Sequence, residues 1–142
     1  MTIGDQRSLT IGVQACSDAV IVLASYLQIP DSSSYKITFG SNENSEVVIE
    51  KSGSENVTFS SSRDILSCDS ITDLWVSWER GMISAGLGKT IHQNTLASMF
   101  DDDSPYDVQA AAFGAHPSDR NTTYWYLGDV DGKLLHSAIQ SF

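Results

Sequence analysis

Between His116 and Tyr126 the chain collects a histidine, an aspartate, an arginine, an asparagine and three aromatic rings. These types suit recognition of a sugar. Amides, carboxylates and imidazoles exchange hydrogen bonds with hydroxyl groups, and an aromatic ring covers the apolar face of a pyranose, provided a rigid scaffold holds the loops. The candidate ligand-binding residues are therefore His116, Asp119, Arg120, Asn121 and Tyr124, joined by Asn42 and Asn44 from a second polar loop. Arg120 carries a planar fork suited to a carboxylated sugar such as a sialic acid. The alternative for the same segment is an ordinary polar loop with Tyr124 and Tyr126 packed on a sheet.

Other chemistries find less support. Gly86-Leu87-Gly88-Lys89 invites comparison with phosphate-binding loops, but Ile91 stands where a dinucleotide fingerprint needs its third glycine, and Ile83 where a P-loop needs its first. G-x-S-x-G and H-E-x-x-H are absent, and His92, His116 and His136 are far apart in the chain. A catalytic centre is not expected. Asp101-Asp102-Asp103 and Asp129-Val130-Asp131-Gly132 offer oxygen ligands of the kind calcium takes, without EF-hand spacing, so both read as solvated acidic turns. No metal or other cofactor is implied. Cys16 and Cys68 fit neither a metal nor a redox motif; two free thiols are favoured, with one disulfide as the alternative.

Eighteen acidic against eight basic residues give a formal charge of -10 over 142 residues. Such a field repels phosphate backbones and anionic lipid, which excludes nucleic acid as a partner. The longest apolar run, Ala19 to Ala24, is far shorter than the roughly 20 residues that span a bilayer, so no membrane insertion is expected. The first residues lack the pattern of a signal peptide; the compartment is extracellular if a leader was removed and cytoplasmic otherwise. Asn56-Val57-Thr58 and Asn121-Thr122-Thr123 are glycosylation sequons, relevant only to a secreted chain.

The elements that must position these residues are strands. Helical periodicity is nearly absent, and short runs rich in Val, Ile, Thr, Tyr, Phe and Trp recur between Ser, Asp, Asn and Gly clusters. Eleven strands are expected: 9–15, 19–25, 35–39, 46–51, 56–60, 74–79, 82–86, 90–98, 108–116, 123–128 and 132–137. In Tyr35-Lys36-Ile37-Thr38-Phe39 apolar and polar residues alternate, so one face meets a core. Leu74 to Glu79 and Met82 to Gly86 form a hairpin in which Gly81 takes a positive φ. Gly86 and Gly88 relieve crowding or form a bulge at the strand end. Trp78 is assigned to the core, and Trp75, beside Ser77 and Glu79, to an interface or ligand surface.

Residues 13–24, VQACSDAVIVLA, with YKITFGSNENSEVVIEKSG at 35–53 and DLWVSWERGMISAGLG at 73–88, resemble the farnesoic acid O-methyltransferase domain. The match is to its patterns V-x-A-C-S/N-D-A-H-I-x-L, Y-E-I-x-I-G-G-x-x-N and F-W-I-S-W-x-x-G-x-I-x-V-G-x-G, with departures at Val20, Ser41 and Asn42. The resemblance implies a β-sandwich module, often repeated or attached to other domains, with lectin-like or immune-recognition relatives among invertebrate proteins. It does not imply a conventional methyltransferase, because S-adenosylmethionine is bound at the strand ends of a parallel sheet with helical crossovers, for which this chain has no room.

The expected protein is thus all-β, a single antiparallel β-sandwich of jelly-roll-like form spanning residues 1–142. Its expected function is glycan binding by loops at one end, without catalysis, with glycans or glycoproteins as partners and a homo-oligomer multiplying weak sites. A non-catalytic protein-interaction or structural module is the alternative, and an enzyme comes third.

Overall fold

A computed structural model describes residues 6–25, 33–52, 56–116 and 122–127, together with the backbone of the strand His136–Ala138. Eleven strands run through these residues: β1 (Ser8–Gln14), β2 (Ala19–Ala24), β3 (Ser34–Gly40), β4 (Glu46–Lys51), β5 (Asn56–Ser60), β6 (Thr72–Glu79), β7 (Met82–Leu87), β8 (Thr95–Phe100), β9 (Ala110–Ala115), β10 (Thr123–Leu127) and β11 (His136–Ala138). Each falls within or beside an expected one. All pair antiparallel, in a six-stranded sheet ordered β11-β10-β1-β6-β7-β8 and a five-stranded sheet ordered β5-β4-β3-β2-β9. No helix among the described residues is long and apolar enough to cross a membrane.

Alternation decides which side chains meet between the sheets. Tyr35, Ile37 and Phe39 of β3, Ile21 and Leu23 of β2, and Val47 and Ile49 of β4 point inward from one sheet. Ile11 and Val13 of β1, Leu74, Val76 and Trp78 of β6, and Trp125 of β10 meet them from the other. Phe113 and Trp125 touch across the gap with ring centroids 5.3 Å apart. Each such side chain contributes about 1.5–3 kcal/mol by leaving water. Trp78 is in the core, as its alternation requires.

The β6–β7 hairpin closes through Arg80 (φ 52) and Gly81 (φ 80), the two positive dihedrals of a type I′ turn. Gly86 lies directly opposite Trp75, at the point where the β7–β8 ladder slips register. A Cβ there would sit 2.5 Å from Cε2 and Cζ2 of the Trp75 ring, so the glycine makes room for an indole lying flat on the sheet.

Two expectations are corrected at this place. Trp75 does not form an exposed surface: it is fully buried, its N–H donates to the Gln93 carbonyl at 2.7 Å, and His92 stands edge-on at 5.6 Å. The strand expected over residues 90–98 begins only at Thr95, because His92 (φ 70) and Asn94 (φ 54) adopt left-handed dihedrals that no strand accommodates. Residues 88–94 instead fold over Trp75 as a lid. The expected strand over 132–137 is seen as His136–Ala138, its earlier part lying outside the described residues.

Because the Trp75 indole is pinned by Gln93 and His92, it has no room to swing away from a new methyl group. Gly86→Ala is expected to destabilise the fold by about 1–3 kcal/mol, read as a lower urea midpoint with an unchanged far-ultraviolet spectrum.

Candidate functional site

The chain changes sheet at 15–18, 61–71, 101–109 and 116–122. Strand directions put the first, second and fourth of these at one end of the sandwich, with the 41–45 connection between β3 and β4 beside them. The described candidates therefore gather at this end. His116 is exposed, and its N–H donates to the Asp18 carbonyl at 3.1 Å. Tyr124 is half-buried at the start of β10, opposite Gln14. Asn42 is exposed, and its amide donates to Glu46 Oε2 at 3.3 Å. Asp119, Arg120 and Asn121 lie outside the described residues.

Asn44 has a different position from its neighbour. It is buried, its side-chain Nδ2 donates to the Leu66 carbonyl at 2.8 Å, and its Oδ1 accepts from the Leu66 N–H at 3.0 Å. Its amide thus mimics a strand partner and fastens two loops. Asn42, Glu43 and Asn44 have φ of 50°, 59° and 62°, a left-handed turn that costs about 1–2 kcal/mol for each residue other than glycine. The surroundings hold it in place. Ser45 N–H donates to the Ser41 carbonyl, Ser45 Oγ to the Asn42 carbonyl, and Ile65 N–H to the Asn44 carbonyl.

The cysteines overturn the expectation of free thiols. Cys16 and Cys68 form a disulfide across 52 positions of sequence. Linear spacing concealed it because their proximity arises only when two sheet-switching connections meet. Gln14 Nε2 donates to the Cys68 carbonyl at 2.9 Å beside the bond. The two pinned loops border an open cleft of about 650 Å³, lined by the disulfide, Ser17, Glu43, Asp64, Ser67 and Asp69. Those five polar residues were not singled out as ligand-binding candidates from the sequence. Among the described residues no group of three or more His, Cys, Asp or Glu is arranged to hold a metal ion.

The opposite end contains an electrostatic cluster that the expected solvated turn at 101–103 did not foresee. Asp102 and Asp103 are exposed, but Asp101 is buried. Tyr35 Oη donates to its Oδ2 at 2.6 Å, Lys51 Nζ to its Oδ1 at 2.8 Å, and Asp103 N–H to Oδ1 at 3.1 Å. Tyr106 N–H in turn donates to Tyr35 Oη at 2.9 Å. Burial alone would raise the Asp101 pKa, but the donors from Lys51, Tyr35 and Asp103 outweigh it and hold the carboxyl below its ordinary range. Burial, reinforced by the bond to Asp101, pushes the Tyr35 phenol far above its ordinary value. The hydrogen bond to Asp101 raises the Lys51 ammonium.

A family described as farnesoic acid O-methyl transferase matches residues 1–128. The chain belongs to that family. No curated protein matches it. This farnesoic acid O-methyltransferase domain is not a conventional S-adenosylmethionine fold, since its described strands all pair antiparallel and none of them is joined to a parallel neighbour through a helix. In the matched segment Tyr35 secures Asp101 while Asn44 clamps Leu66.

Two outcomes follow from these anchors. Removing the Tyr35 hydroxyl leaves Asp101 Oδ2 and the Tyr106 N–H without a protein partner, so Tyr35→Phe is expected to cost about 1–3 kcal/mol at neutral pH in urea melts. A depressed carboxyl stabilises above its unfolded pKa, and that contribution disappears as pH falls through the folded value. Native stability should therefore decline below about pH 4, and Tyr35→Phe, with a less depressed Asp101, should show the smaller acid decline. The paired Cys16→Ser and Cys68→Ser variant is expected to lose up to about 4 kcal/mol, the loop-closure entropy for the 52-position separation, measured by thermal melting against the oxidised parent.

Proposed function

We propose that the chain is a recognition module that binds glycans with the loops at its disulfide end, catalyses no reaction, and self-associates to multiply weak single sites. The observation that carries this reading is the left-handed turn at Asn42 to Asn44, held against its own strain beside a cleft of carboxylates and hydroxyls. Sugar hydroxyls donate to carboxylates such as Glu43, Asp64 and Asp69 and exchange hydrogen bonds with Ser17 and Ser67. The disulfide and the Asn44 clamp preorganise these groups, which lowers the ordering cost of binding. His116, Asn42 and Tyr124 border the same end.

A protein-interaction module is the second reading. It is favoured by one feature, the cross-strand pair Met82 and Phe100, which are 41% and 56% exposed where β7 and β8 meet at the sheet edge. The antiparallel sheets offer no support for S-adenosylmethionine chemistry.

A glycan array combined with haemagglutination tests the first reading. Binding is expected, and Asp64→Ala and Tyr124→Ala should each weaken it about tenfold while the β-type dichroism is retained. Silence on the array, and at high sugar concentration by NMR, would transfer the assignment to the interaction module. Calorimetric titration with S-adenosylmethionine is expected to give no heat.

A further inference from the structure

At the end of the sandwich away from the disulfide, a second cleft of about 270 Å³ is lined by Arg7, Trp78, Arg80, Pro105, Tyr106 and Asp107, among others. The chain has only eight basic residues and a formal charge of -10, yet two of its arginines line this one small opening. Asp107 is the one acidic side chain on its wall, and it accepts from Gln109 Nε2 at 3.4 Å. Arg80 makes no ion pair among the described residues.

Two further features point to a missing acceptor. Trp78 is 6% exposed, and its buried indole N–H has no hydrogen-bond partner. A buried donor in that condition costs about 1–3 kcal/mol. Arg80 occupies the first central position of the type I′ turn at φ 52, where asparagine, aspartate or glycine would sit with less strain. Turn geometry does not explain an arginine there, whereas a use for its guanidinium would.

The walls are rigid. Asp101 N–H donates to the Gly81 carbonyl at 2.7 Å, and a Cβ on Gly81 would lie 2.6 Å from the Asp101 carbonyl, so the hairpin turn and the 101–109 connection are locked together. The Trp78 backbone N–H donates to the Arg7 carbonyl at 2.9 Å, which fixes the segment before β1 on the same rim. The Tyr35–Asp101–Lys51 cluster lies directly behind and holds Tyr106.

We propose that this cleft binds the oxyanion end of a small ligand, a carboxylate, sulfate or phosphate group. Arg80 engages it through its fork, the Trp78 indole N–H gains its acceptor, and Tyr106 and Pro105 flank the carbon portion. The site is separate from the glycan cleft and does not depend on it.

The test uses the ¹⁵N-labelled chain, with the Trp78 indole resonance identified by its disappearance in Trp78→Phe. Sodium acetate, benzoate, sulfate and phosphate are titrated at constant ionic strength against sodium chloride. At least one anion is expected to shift the Trp78 indole signal saturably, and the comparison between planar carboxylates and tetrahedral anions assigns the group. Arg80→Asn should weaken that binding about tenfold or more while raising the thermal midpoint, because asparagine suits the left-handed turn position. Arg80→Gln, which keeps length and removes charge, should weaken it as well. No saturable shift with any of the four anions, or undiminished affinity in both Arg80 variants, would overturn the proposal.

Discussion

A strand sends its side chains alternately to two sides, and this constraint governs the rest of the molecule. Strands with an apolar side have to be arranged so that those sides face one another, and in this pair of antiparallel sheets the chain repeatedly passes from one sheet to the other. Each passage has to cross an end of the sandwich, where strand hydrogen bonds stop and backbone groups need other partners. The anchoring devices are found at these crossings: the disulfide and the Asn44 amide at one end, and the Asp101 cluster at the other. Ile65 and Leu66 at one end and Val108 at the other also bury apolar side chains in the core. Side-chain donors and acceptors replace the ladder that has run out.

Much of this fold was legible in the residues. The alternation in Tyr35 to Phe39 and the turn chemistry around Gly40, Gly81 and Pro105 are local signals, and local signals report strands and hairpins. What they do not report is which distant residue completes a bond. Cys16 with Cys68, Asn44 with Leu66, and Asp101 with Lys51 and Tyr35 are separated by 52, 22, 50 and 66 positions. The same limit explains Trp75. Its polar strand neighbours suggested an outward face, correctly, but the lid at 88–94 that covers it is a tertiary arrangement.

The candidate site divides along the same line. Of the residues named by type, His116, Asn42, Asn44 and Tyr124 lie at one end of the sandwich. Residue type did not distinguish an asparagine available to a ligand from one already committed to the backbone of its neighbour. Asn42 and Asn44 are two positions apart and have opposite environments, exposed and buried. The cleft-lining carboxylates escaped notice because single aspartates in a serine-rich loop carry no spacing signal.

The bond between Cys16 and Cys68 closes a covalent circle that holds β2, β3, β4 and β5, four consecutive strands of the five-stranded sheet, and omits its edge strand β9. Those four are neighbours in sequence and in space, so the circle can order itself through short-range pairing. Strand β9 arrives from outside it and docks on β2 only after the chain has traversed β6, β7 and β8. Within this sheet the pairing of β9 with β2 is thus the one whose chain closure the sulfur bridge does not shorten.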